Sequence, residues 1–162
     1  MLEYDFETHD EMIEFSGVAG EMLSMTVEKI ANLYLKNDKA WVIGFSGGKD
    51  STVVLSLVFQ ALTTLKKEQL TKKVYVVCSD TLVETPVVVG LIRETLNDVQ
   101  ECANKKGIPL VTQIVVPEVG QTFWSNLLGK GYPAPTKSFR WCTERMKINH
   151  VSEFIQGTVS NH

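Results

Sequence analysis

Apolar residues recur along this chain with two different periods, and the order of those periods predicts the fold. From Glu21 to about Asn37, the residues Leu23, Val27, Ile30, Leu33 and Tyr34 fall three or four apart, the spacing of one helix face. Asn37-Asp38-Lys39 is a stop, and residues 40–45 (Ala-Trp-Val-Ile-Gly-Phe) form a short apolar run of strand character, expected to be buried on both faces. A second helix is predicted from about Asp50 to Lys66, with Val54, Leu57, Val58, Ala61 and Leu65 on one face. Residues 73–78 read as the next buried strand. A third helix opens at Glu84-Thr85-Pro86, where proline suits a first turn that needs no donor. Val89, Ile92, Leu96, Val99 and Ala103 line its buried side, and Gly107 stands where a left-handed C-terminal cap belongs. Ile108 to Val116 supplies a third strand. Beyond Pro117 the pattern changes: a short helix over Thr122–Leu128, a Gly/Pro/Lys-rich loop to Ser138, and a helix over Thr143–Ile155.

Helix, strand, helix, strand, helix, strand is the order of an open, parallel α/β sheet with flanking helices, of the Rossmann-like kind. Residues 1–20 lack clear periodicity and read as an acidic leader, leaving 21–162 as the folded domain. Three strands make a thin sheet.

Composition narrows the function classes. Hydrophobic content of 44% and charged content of 22% are those of an ordinary globular protein. No apolar run approaches the roughly 18–20 residues that span a bilayer, and the acidic N-terminus lacks the basic and apolar regions of a signal peptide, so no membrane partner and a cytoplasmic location are expected. The net charge of -3 hides an acidic head: residues 1–28 hold eight carboxylates and no Lys or Arg, and the rest of the chain carries a balance of +5. Cys78, Cys102 and Cys142 are odd in number, widely spaced and without a CxxC pair, which argues against a disulfide framework or a self-contained zinc site. Cys78 and Cys102 are assigned to packing; His9, His150 and His162 form no ligand spacing. Trp124 and Trp141 are assigned first to core packing, with base stacking as the alternative.

The strongest chemical signal is Gly44-Phe-Ser-Gly-Gly-Lys-Asp-Ser-Thr52, set between a buried strand and an amphipathic helix. Glycines let successive backbone N–H groups converge on an anion, and a helix N-terminus adds free donors and partial positive charge. Ser46, Ser51 and Thr52 offer hydroxyls and Lys49 a charge; Asp50 can cap the helix or support Mg2+. The loop is not a Walker A motif, because Asp50 separates the lysine from the hydroxyl residue and the glycine spacing is too short. Residues 46–51 (SGGKDS) resemble the SGGxDS loop of the ATP pyrophosphatase (PP-loop) superfamily. That resemblance implies an adenine nucleotide alpha hydrolase-like fold that holds the β,γ-diphosphate of ATP and cleaves between α and β, or binds an adenylyl sulfate. Asp80 and Thr81 end the second strand, where ligands of open α/β sheets bind; their DT…ET setting is similar to that of phosphoadenosine-phosphosulfate reductases.

Residues 130–147 form the second signal. Lys130, Lys137, Arg140, Arg145 and Lys147 against Glu144 give a local balance of +4, suited to phosphate or sulfate. Cys142, among these cations, is expected to lean toward the thiolate. The run YPAPTxxFRWCTxRxK closely resembles the DndC branch, the sulfurtransferases of bacterial DNA phosphorothioation, over about Trp41 to Phe154. The resemblance implies an ATP-dependent, pyrophosphate-releasing enzyme with DNA, a cysteine desulfurase or other phosphorothioation proteins as partners. It assigns nucleotide binding to Ser46, Gly47, Gly48, Lys49, Asp50, Ser51, Thr52, Asp80 and Thr81. Catalysis falls to Lys49, Asp50, Arg140, Cys142, Arg145 and Lys147. It also implies Mg2+ near Asp50 and a 4Fe-4S cluster with Cys142 as one ligand. Relatives of that branch continue past the RWCT segment with further strands and cysteines, so the chain is expected to be partial, its ligand set incomplete and its first strand an apolar edge. A sulfonucleotide reductase with Cys142 as the attacking thiol, and a nucleotide-binding fragment without catalysis, are the alternatives.

Overall fold

The computed structural model describes residues 18–159, so the greater part of the acidic leader, with His9 and His162, lies outside the described residues. Helix α1 spans Val18–Leu35 and leads into β1 (Trp41–Gly44), α2 (Lys49–Thr63), β2 (Val74–Ser79), α3 (Pro86–Lys106) and β3 (Leu110–Val115). After β3 come a 3-10 turn at Val119–Gln121 and a wide π turn at Ser125–Gly129. A last helical run, residues 141–159, is called α4 here and alternates α and π turns from Trp141–Thr143 to Ile155–Val159.

The three strands form one parallel sheet in the order β1-β2-β3, paired from Trp41 with Val74 and from Val74 with Leu110. The chain is thus an α/β protein whose sheet is flanked by helices. Helices α2 and α3 share one face. There Leu55, Val58 and Leu62 from α2, and Leu96, Val99 and Ala103 from α3, pack on Ile43, Val74, Val76 and Leu110. Burying a side chain of this size is worth about 1.5–3 kcal/mol, so this layer is the main source of cohesion. The opposite face is covered by α4: Phe154 meets Tyr75 edge to face at 5.7 Å, and the Ser79 hydroxyl donates to the Met146 carbonyl at 2.7 Å.

Helix α1 forms an outer layer against α2, through Val27, Ala31 and Ala61. Two expectations are corrected by this packing. Leu33 and Val54 are exposed, at 48% and 50%, whereas the periodicity placed them on buried faces. Helix α2 is sandwiched, with Leu55, Val58 and Leu62 toward the sheet and Leu57 and Ala61 toward α1, so its two buried stripes leave Val54 outside both. On α1 the inward position belongs to Tyr34, whose hydroxyl donates to the Lys72 carbonyl at 2.6 Å. Strand β1 lies at the edge of the sheet, and Trp41 and Val42 are only half-buried, not enclosed on both faces.

Local rules hold at the ends of α3. Pro86 occupies its first turn, and Gly107 (φ 68°) closes it in the left-handed region. The last helix is longer than the expected 143–155, starting at Trp141 and so including Cys142, while the short helix expected over 122–128 forms over residues 123–129, with a π turn at Ser125–Gly129. Among the described residues, no helix is long and apolar enough to cross a membrane.

Candidate functional site

The turn from β1 into α2 is built from both of its ends. Phe45 is buried and its N–H donates to Val77 at 2.9 Å, which anchors the entry. The Ser51 hydroxyl then laces the loop: it accepts from the Ser46 N–H at 3.2 Å, lies 3.2 Å from the Ser46 hydroxyl, and donates to the Gly48 carbonyl at 2.9 Å. Thr52 adds its hydroxyl to the same carbonyl at 3.0 Å. Gly47 sits at φ 72°, a left-handed conformation that side chains resist, and a Cβ there would stand 2.8 Å from Ile92 Cγ1. Ser46, Gly47, Gly48, Lys49 and Asp50 are all exposed.

Gly48 is the N-cap of α2, and no side chain caps it. This corrects the capping role considered for Asp50, which lies inside the first turn; the cap position falls two residues earlier because the helix begins at Lys49. The opening N–H groups of any helix have no intrahelical acceptor. Here they point out of a fifteen-residue helix with glycine at their base, a geometry that favours an anion.

Beside this turn a small cleft of about 40 Å³ lies over the carboxyl ends of the strands. Ser46 marks one wall, Ser79 and Asp80 the floor, Glu84 and Arg93 a second wall, and Lys147 the side formed by α4. Asp80 is nearly buried; one carboxylate oxygen accepts the Leu82 N–H at 2.9 Å and the other lies 3.8 Å from the exposed Arg93 guanidinium. Thr81 is buried, its hydroxyl donating to Glu84. Partial burial pushes the Glu84 carboxyl up, but the Thr81 hydroxyl, the Glu84 and Val83 N–H groups and the Lys147 ammonium together hold it below the usual carboxylate value. At the cleft floor, burial raises the Cys78 thiol, with Asp80 and Glu84 adding to the effect and Lys147 opposing it.

Of the residues chosen from sequence, the cleft lining unites Ser46, Asp80 and Lys147; the rest of the turn borders it through Ser46. Arg140, Cys142 and Arg145 are not in the lining. The Arg140 Nε donates to the Lys137 carbonyl at 3.2 Å within its own loop, and the Arg145 guanidinium lies 5.0 Å from the Tyr132 ring and 3.3 Å from Gln121 Oε1. Ser79 and Arg93 were missed from sequence, and Glu84, part of the DT…ET setting, was weighed both as a site residue and as the start of a helix. Arg93 carries no motif; only its position one residue beyond Ile92, which touches the turn, would have pointed to it.

Among the described residues, no group of three or more His, Cys, Asp or Glu side chains can hold a metal ion. Cys78 and Cys102 are buried in the apolar core and Cys142 is half-buried on another element. These residues do not fit a 4Fe-4S cluster, which takes four ligands. A practical consequence follows for thiol chemistry. Iodoacetamide applied to the native protein will modify Cys142 first, with Cys78 slower because it is nearly buried at the cleft floor and Cys102 slower by roughly 100-fold or more because it reacts only through opening of the core. Peptide mass mapping over time checks this; equal rates at Cys142 and Cys102 would show that the core is not closed.

No family model matches the chain. Two proteins of Methanocaldococcus jannaschii are similar to it. The uncharacterized protein MJ0066 is 33% identical over 127 residues, covering 78% of this chain and 22% of that protein. The uncharacterized protein MJ0973 is 30% identical over 112 residues, covering 69% and 22%. The chain therefore spans about a fifth of the length of the curated relatives it matches.

Proposed function

We propose that this chain binds ATP, with the diphosphate on the Ser46–Ser51 turn and the nucleoside toward the cleft. In this reading the fold is of the adenine nucleotide alpha hydrolase-like kind, and the nucleotide is cleaved between the α and β phosphates. The observation that carries the reading is the turn itself: exposed, self-laced, left-handed at Gly47, and opening an uncapped helix beside a cleft at the strand ends. Such a turn supplies converging N–H donors with little side-chain bulk, which is what a diphosphate requires. Lys49 adds charge, and Asp50 supports Mg2+ carried in with the phosphates, since Mg2+ is often held by one or two carboxylates plus substrate oxygens. When bound, the metal would neutralise charge that develops on the leaving pyrophosphate. Lys147, across the cleft, is the best placed of the predicted cations to stabilise charge on the α phosphate; Arg140 and Arg145 lie further along the same segment.

The sequence of residues 131–147 supports a narrower assignment, a DndC-like sulfurtransferase component of DNA phosphorothioation, acting with DNA and a cysteine desulfurase. There, adenylylation makes the phosphate oxygen leave as AMP when sulfur attacks. The reductase alternative gains no support from the cleft, since its thiol, Cys142, is not in the lining. Calorimetric titration with Mg·ATP, followed by chromatography of the products, tests the reading. Binding with AMP and pyrophosphate as the products of turnover is expected. An absence of binding, or ADP as the product, overturns it.

A further inference from the structure

Arg93 is not accounted for as an ordinary cation on a helix surface. The positions on α3 that would carry a partner for it, residues 89, 90, 96 and 97, are Val, Gly, Leu and Asn, so no carboxylate stands three or four residues away. Its partner lies across the fold instead: Asp80 at the end of β2, with 3.8 Å between Nη2 and Oδ2. At that distance the two form no hydrogen bond, and with 61% of the arginine side chain in solvent the pair contributes little. Asp80 does not depend on it, because Oδ1 already holds the Leu82 N–H at 2.9 Å.

The placement of Arg93 suits an incoming anion better than it suits Asp80. Val89, Ile92 and Arg93 share the side of α3 that lines the cleft, and Ile92 lies behind the glycine turn, where a Cβ on Gly47 would stand 2.8 Å from it. Long side chains on a helix lean toward its N-terminus, which carries the guanidinium back past Val89 and Gly90 toward the strand ends. Nothing lies within 4 Å of where a Gly90 Cβ would be, so the space on that side is open. The charges of the cleft balance, Asp80 and Glu84 against Arg93 and Lys147, and a nucleotide brings further negative charge to it. At about 40 Å³ the cleft has room for a few water molecules, so a nucleotide has to displace part of its wall as well. A guanidinium held by one long, solvent-screened contact meets both needs by turning from its carboxylate to a phosphate.

We infer that Arg93 is a phosphate ligand of this site: Asp80 parks its guanidinium at the cleft wall, and a nucleotide takes it over through the α phosphate. The inference rests on the ATP reading above, in which the diphosphate lies on the turn and the nucleoside toward the cleft. The α phosphate then falls at the boundary between the two, beside the wall that Arg93 forms. Exchange in this direction is favoured, because a guanidinium grips phosphate through paired, charge-assisted hydrogen bonds and gives up only a loose contact.

Calorimetric titration of the whole chain with two ligands tests this. One is Mg·α,β-methylene-ATP, which cannot be cleaved between those phosphates; the other is Mg·pyrophosphate, which fills the turn without an α phosphate. Wild type is expected to bind both. Arg93→Ala should bind the nucleotide analogue roughly tenfold or more weakly, with its pyrophosphate affinity within roughly threefold of wild type. Arg93→Lys should fall between, since an ammonium keeps the charge and loses the fork. Melting should stay within about 2 °C of wild type in both variants, because the pair with Asp80 is exposed and long. Equal affinity of wild type and Arg93→Ala for the analogue overturns this inference alone. An equal loss for both ligands overturns it too, by making Arg93 a general attractor of anions, as does a binding loss that follows a fall in melting temperature. Wild type that binds neither ligand overturns the nucleotide reading itself, and this inference with it.

Discussion

Gly47→Ala is expected to lower Mg·ATP affinity by tenfold or more and to destabilise the protein by roughly 2–4 kcal/mol. Two costs combine. A Cβ in the left-handed region costs about 1–2 kcal/mol for an ordinary residue. The methyl would also stand 2.8 Å from Ile92 Cγ1 and 3.2 Å from its Cδ1. Ile92 lies on α3 and packs against the main core, so moving it disturbs a close-packed layer, typically at about 1–3 kcal/mol. For a chain of this size each kcal/mol is roughly 2–4 °C in Tm, so a fall on the order of 5–15 °C should be visible by calorimetry. The affinity loss follows from geometry, because a turn that flips away from φ 72° no longer aims the amides at one point. Gly48→Ala is the informative contrast. Its φ of -84° is ordinary, and the nearest atom to an added Cβ is the Ser46 hydroxyl at 3.5 Å, normal contact. Its stability should stay within about 1 kcal/mol of wild type. A Gly47→Ala protein with unchanged melting and affinity would remove the turn as the anion site.

The second large effect is expected at Asp80. Its carboxylate serves a turn that the backbone resists: Leu82 is a leucine at φ 61°, and its N–H is held by Asp80 Oδ1 at 2.9 Å. Hydrogen bonds to a charged acceptor contribute about 1.5–3 kcal/mol, and here the bond also offsets the strain at Leu82. Asp80→Ala should therefore cost about 2–3 kcal/mol in urea denaturation. Asp80→Asn keeps an oxygen for Leu82 and gives up only the pairing with Arg93, which is 61% exposed at 3.8 Å and so screened by solvent. It should cost about 1 kcal/mol or less. If the two substitutions are equally damaging, the charge pair and not the turn is what Asp80 supplies. Because Asp80 also floors the cleft, Mg·ATP titration of the asparagine variant separates a role in binding from a role in folding.

Much of this was legible from residues alone wherever the cause is local. Strands 2 and 3, the proline start and glycine end of α3, and the glycine turn after β1 all follow from φ restrictions, donor counts and short-range periodicity. The same means failed at Leu33 and Val54, because a helix with two buried stripes has no single moment to read. They failed again at Asp50, where the helix begins at Lys49 and its cap position, Gly48, falls two residues before the carboxylate.

The candidate site divides along the same line. The turn at 46–51 is contiguous in the chain, so its composition announced it. The cleft is not: Ser46, Asp80, Arg93 and Lys147 are brought together by β1, β2, α3 and α4, and no spacing in the chain encodes that meeting. Basic residues at 130–147 read as one cluster, but folding sent Lys147 to the cleft and left Arg145 on Tyr132. Likewise Trp124 and Trp141 are indistinguishable as letters, and packing alone buried one and left the other bare. By itself the sequence determined the elements, their parallel order and the glycine turn after β1, because each depends on a residue's own backbone preferences and near neighbours. Only the tertiary structure decided which distant charges face the turn and which aromatic ring meets solvent, because those depend on how separate helices pack across a sheet.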